Sequence, residues 1–107
     1  MWIFTQFGFF SIVAHREKLD TLLIRGRSHK DLQAFADRIG NVKVVTMNLA
    51  DYRYRFEAPK ARVAEVLSAE LNELSYDNFK DRVAETQGYE RAGVYGGVWA
   101  HLHRHLS

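Results

Sequence analysis

"ADYRYRFEAPK", Ala50–Lys60, decides how the rest of the chain is read. Aromatic and charged side chains alternate through it, the period of a β-strand with one face buried and the other wet. Tyr52, Tyr54 and Phe56 then share one side, and Arg53, Arg55 and Glu57 the other. Pro59 ends the run and suits the first turn of a helix. Just upstream, Asn48 to Asp51 supply a turn, and "VKVVTM", residues 42–47, reads as the preceding strand.

Further out, "GFFSIVAH" (8–15) and "DTLLIRGR" (20–27) are rich in β-branched and aromatic residues and flank the polar "HREKLD", a hairpin pattern. Phe10, Ile12 and Ala14 share one face of the first strand, and Phe9, Ser11, Val13 and His15 the other. In the second strand Leu22 and Ile24 oppose Leu23, Arg25 and Arg27. The first strand starts either at Trp2, with Gly8 marking a bulge, or after Gly8.

Between the two strand pairs, Ser28 as N-cap, Asp31 three residues on and Gly40 at the C-terminus delimit a helix with the stripe Leu32, Phe35, Ala36 and Ile39. A second helix follows Pro59, with Val63, Val66, Leu67, Leu71 and Leu74 at helical spacing. Ser75 is expected to cap a short helix over "YDNFKDRVAETQ" (76–87), ended by Gly88. The last helix carries a seam of Ala92, Tyr95, Trp99, Leu102 and Leu106. Gly96 and Gly97 within it each cost about 1 kcal/mol against alanine, which points to close approach of another helix, within the chain or from a partner, or else to a kink. The element order is ββα ββα αα. It predicts an α+β fold, a single domain over 1–107 with a small four-stranded, mostly antiparallel sheet covered on one face by helices. A C-terminal helix pair, about 76–106, is appended to it.

The bulk properties agree with one globular domain: 107 residues, 47% hydrophobic, 26% charged and a net charge of +2. There is no cysteine, which removes disulfides, thiolate zinc sites and a cysteine nucleophile, and fits a cytoplasmic chain. The apolar start, "MWIFTQFGFFSIVAHREK", has no basic n-region and falls short of the roughly 20 residues of a membrane span, so no membrane partner is expected.

Four arginines, Arg25, Arg27, Arg53 and Arg55, fall on the outer side of the predicted strands, with His15 and Lys43 joining them if the register allows. Guanidinium forks bind phosphate bidentately and stack on bases. The plainer reading is the wet side of a half-covered sheet with local ion pairs. Phe9, Val13, Leu23, Val45 and Met47 point the same way, and an open face of apolar residues ringed by arginine meets a partner: another protein, a second copy in a homodimer, or single-stranded nucleic acid. Tyr54 and Trp99 complete the candidate binding residues.

Two further segments carry weaker signals. In "SYDNFK" (75–80), Asp77 and Lys80 form either an acid–base pair or an ordinary i, i+3 contact at a helix start. In the tail "HLHRHLS", His101 and His105 have the i, i+4 spacing of a two-histidine metal clip, whose third ligand would have to come from elsewhere, such as His15, His29 or an acidic side chain. No phosphate-binding glycine loop, nucleophile elbow or calcium loop is present, so no cofactor and no catalytic residue is assigned. A metal-independent nuclease would have to be assembled from His15, Arg53, Tyr54, Arg55 and Glu57.

"GFFSIV", "ADYRYR", "YDNFK" and the late Trp99 resemble segments of a group of small bacterial and phage proteins of about this length that carry no assigned function. The resemblance implies such an origin and a single domain, and it transfers no site residue. The reading that follows is a non-enzymatic interaction protein, a phage-type inhibitor among its variants, with a nucleic-acid binder or ribonuclease as the alternative.

Overall fold

The computed structural model describes residues 1–107, which fall into two compact units, Met1–Leu74 and Ser75–Ser107. The first holds an antiparallel sheet of five strands: β1 (Trp2–Thr5), β2 (Gly8–Ala14), β3 (Thr21–Gly26), β4 (Val45–Thr46) and β5 (Tyr54–Pro59). Their spatial order is β1-β2-β3-β5-β4. Helix α1 (His29–Ile39) connects β3 to β4, and α2 (Lys60–Asn72) follows β5. Because β3 and β4 each run antiparallel to β5, they are parallel to one another, with β5 inserted between them.

The expected four-stranded sheet has a fifth strand. Trp2–Thr5 is not a continuation of β2 but its hairpin partner, closed where Thr5 pairs with Gly8. The Thr5 hydroxyl makes the turn by donating to the Gly8 carbonyl (3.0 Å) and accepting from the Phe7 amide (3.2 Å). Gly8 therefore ends a tight turn and marks no bulge. At the other edge β4 is shorter than the six residues expected, because Val42 and Val44 pack against the core instead of joining the ladder.

Helix α1 forms where its caps predict. The Ser28 hydroxyl accepts from the Asp31 amide, and Leu32, Phe35, Ala36 and Ile39 are all buried. Phe35 is the hub, meeting Phe10, Phe7 and Phe56 edge-on at ring-centroid distances of 4.8, 5.6 and 5.7 Å. Each such fully buried ring contributes roughly 1.5–3 kcal/mol. From α2 only Val63 and Val66 are buried, while Leu71 and Leu74 of the same stripe stand exposed. Arg62 ties α2 to the end of α1 by donating to the carbonyls of Ile39 and Arg38, each at 2.9 Å. Those carbonyls lack intrahelical partners, and a cation there also suits the helix dipole.

The first turn of α1 docks between two glycines. A Cβ on Gly8 would lie 2.7 Å from the Asp31 side chain, and one on Gly26 would lie 2.3 Å from a Leu32 methyl. Asp31 is buried, and its Oδ2 accepts from the Phe9 amide at 3.1 Å. That amide points toward the side of β2 on which β3 pairs, just beyond the last paired residues, Ser11 and Arg25. A helix side chain thus completes the hydrogen bonding of a strand.

In the second unit, α3 (Phe79–Gln87) packs on α4 (Tyr89–Leu106). Asn78 is the cap, accepting from the Asp81 amide at 3.0 Å, three residues later than the expected Ser75. Phe79 and Tyr95 stack with rings 7° from parallel, and Val83 and Ala92 are buried beside them. The seam stops there: Trp99, Leu102 and Leu106 are exposed. Within this helix pair the glycines do not mark a close helix approach. A Cβ on Gly96 would make only ordinary contact with the Lys80 side chain, and one on Gly97 would meet nothing. No helix is long and apolar enough to cross a membrane.

Asp31→Ala is expected to lower stability in urea unfolding by about 1–3 kcal/mol, since it orphans a buried amide. Gly97→Ala is expected to raise the thermal midpoint, recovering up to about 1 kcal/mol of helix propensity with no clash to offset it.

Candidate functional site

The strand register assembles one cross-strand row on the sheet face opposite α1. Trp2 pairs with Ser11, Ser11 with Arg25, Arg25 with Arg55, and Arg55 with Val45. Two arginines are therefore directly opposed in register on neighbouring strands, an arrangement that is destabilising unless something offsets it. Neither is paired with a carboxylate, and Arg53 is in no ion pair either. Arg25 donates to the buried Ser11 hydroxyl at 2.8 Å, and Arg55 to the Tyr52 carbonyl at 3.0 Å. The Nε atoms of both are buried without a hydrogen-bond partner.

Tyr52 is the residue that sequence reasoning misplaced. Alternation from Tyr54 and Phe56 puts it on the core face, but β5 begins only at Tyr54. Its buried ring instead lies beneath two guanidinium groups, Arg25 at 4.8 Å and Arg27 at 4.3 Å from the centroid. Such cation–π contacts are worth about 0.5–1 kcal/mol at an exposed site such as Arg27 and more at the half-buried Arg25, and they partly offset the crowding of positive charge. Arg27 is also bound to Asp51 at 2.9 Å, which raises its pKa further above the ordinary arginine value, chiefly through that hydrogen bond. Arg53 is exposed, and its own carbonyl accepts from the Met47 amide.

The remaining candidates are distributed elsewhere. Tyr54 lies on the core face, edge-on to His29 at 5.3 Å, away from the arginines. Trp99 belongs to the second unit, where its ring stacks on His103 at 5.2 Å. It borders a cleft of about 470 Å³ with Phe79, Tyr95, Asp77 and Lys80. His101 and His105 approach to 4.5 Å, and no group of three histidine, cysteine or acidic residues gathers where it could hold a metal ion.

His15, Lys18 and Glu57 form a closed set beside the arginine row. Glu57 accepts from Lys18 at 2.7 Å and meets His15 Nε2 at 2.8 Å. His15 Nδ1 accepts from the amides of Glu17 and Lys18, each at 3.0 Å, so the ring proton sits on Nε2 and is donated to Glu57. Both ring nitrogens are engaged in holding the β2–β3 loop. With Tyr54 on the far face as well, the five residues of a possible nuclease do not share a cleft.

One feature that bears on the site lies outside the sequence reading. Trp2 is 71% exposed and heads the row, with Phe9 edge-on to it at 6.3 Å and Phe4 stacked against Phe9 at 4.6 Å. Its signal was the hairpin hidden in "TQFG". Beside Arg55, a groove of about 520 Å³ is lined by Leu23, Val45 and Met47, the apolar residues expected on this face, together with Lys43, Arg55 and Glu57.

Lys18, and then His15, hold the Glu57 carboxyl below the usual glutamate value. A lowered folded-state pKa means that the stabilisation is complete above the ordinary carboxylate range and disappears as the pH falls through the folded value. Glu57→Gln is thus expected to lower the thermal midpoint slightly at neutral pH and to match the parent protein in acid, where Glu57 is protonated. Among known proteins the chain matches no family, no curated protein and no solved structure.

Proposed function

We propose that the chain is a non-enzymatic binding protein that presents the open face of its sheet to nucleic acid. The observation that carries this reading is the opposed pair Arg25 and Arg55, held in register with no carboxylate to neutralise either. An acidic residue opposite an arginine stabilises a sheet, whereas like charges face to face cost stability. Here the neighbours are Ser11 and Val45, and the nearby carboxylates of Asp51 and Glu57 are spent on Arg27, Lys18 and His15. A phosphate backbone would supply the missing negative charge, and guanidinium forks suit it. Such a role fits a cytoplasmic chain of bacterial or phage type.

Self-association, or docking to another protein, is the second reading. It is favoured by Val45 and Met47, which are exposed on the same side as the half-buried Leu23 and Val13. Phe9→Asp or Leu23→Asp would dissolve a dimer formed there.

The test is fluorescence anisotropy of labelled RNA and DNA at two salt concentrations. Binding should weaken steeply with salt. Arg25→Ala and Arg55→Ala should each reduce the slope of log K against log salt by about 1. Absence of binding at low salt would reduce the arginine row to an ordinary solvated strand face.

A further inference from the structure

Building on that reading, we propose that the ligand is a single-stranded nucleic acid, laid across the strands along the row from Trp2 to Val45, with a base stacked on Trp2. The class follows from dimensions and from the order of side chains along the row. Five strands at ~4.8 Å spacing give a row about 19 Å long. The major groove of B-DNA is about 12 Å wide and admits a helix or a two-stranded ribbon, so a five-stranded face has no way into it. A single strand has no such constraint, because its bases are free to turn toward the protein and its phosphates lie within reach of any side chain on a flat surface.

The row supplies what such a strand needs, in sequence. At one end stands Trp2, exposed at the sheet edge, with its indole buttressed edge-on by Phe9, which Phe4 supports in turn. A large aromatic left in solvent yet held in place by two others presents a ready stacking surface. In the middle come Arg25 and Arg55, one strand apart and without acidic partners. At the far end lies the groove lined by Leu23, Val45 and Met47, with Lys43 and Arg55 among its walls and Glu57, already bound to Lys18 and His15, as its one carboxylate, a shape for a second base with cations beside it. Aromatic Trp2, the Ser11 hydroxyl, the two arginines and apolar Val45 thus follow one another across the strands, so that surfaces for bases flank the cations as bases flank a phosphate. The order also argues against a second copy as the occupant, because stacking this face on itself would bring further unpaired guanidinium groups together.

The experiment compares labelled oligonucleotides, about four nucleotides and longer, single-stranded and duplex, against the parent protein, Trp2→Ala, Trp2→Phe and Arg25→Ala/Arg55→Ala. Trp2→Thr serves if the alanine variant does not fold, since threonine keeps the strand propensity. The single strand should bind more tightly than the duplex. Trp2→Ala should weaken it about five- to a hundredfold, a stacked base's share, and Trp2→Phe should restore most of the loss. In a Trp99→Phe background the remaining indole emission should be quenched on binding.

If duplex binds as well as single strand, or Trp2→Ala changes nothing while the arginine variants lose affinity, the stacking assignment is overturned and the broader nucleic-acid reading survives. If no nucleic acid binds at low salt, both fall. A dimer that Phe9→Asp disperses would then identify the occupant as a second copy.

Discussion

Everything in the larger unit depends on how closely the first turn of α1 can approach the sheet. Gly8 and Gly26, on adjacent strands, are the two places where a side chain would block that approach, and both are bare. Asp31 and Leu32 fill the space, one bonding the Phe9 amide and the other entering the core. A carboxylate removed from water is costly unless it is hydrogen-bonded, and the Phe9 amide is part of what makes its position tolerable. The same contact sets which face of the sheet the helices cover. Phe10, Ile12, Ile24 and Phe56 turn to α1 and become core. Their neighbours in sequence must then face the other way.

That division makes the arginine face a product of register. A shift of one residue in any strand would exchange its two faces, and the buried set on β2, β3 and β5 permits no such shift. Arg25 and Arg55 are therefore brought opposite one another by hydrophobic packing on the far side of the sheet. Tyr52 and Ser11 relieve the crowding through a ring face and a hydroxyl, groups that disperse positive charge without cancelling it. The result is a surface that keeps its charge available.

Much of this was legible before any coordinates. Alternation in "YRYRF" places Arg55 outside and Phe56 inside, and the stripe of α1 with its Ser28 cap appears where the residues indicate. What escaped has local causes. The hairpin between β1 and β2 turns on Gln6 and Phe7, and Phe7 is a buried aromatic in a position where turns ordinarily carry small polar residues. Trp2 was lost with that strand. Tyr52 follows the alternation in sequence but precedes the strand in space, so its ring answers to the arginines and not to the core. Leu71 and Leu74 continue a regular helical stripe past the point where the core ends, because periodicity reports the face of a helix and not the extent of what covers it.

The unneutralised pair has a consequence for how the protein responds to its solvent. Small ions screen the repulsion between Arg25 and Arg55 in part, as far as these half-buried side chains reach solvent, and to that extent ease a strain within the native sheet. The same ions compete with any polyanion for those guanidinium groups. At this one place ionic strength acts in opposite directions on fold and complex: dilute buffer favours the assembly with its ligand while leaving the free protein least comfortable, and concentrated salt does the reverse. Ligand and salt are thus alternative means of quieting the same two charges.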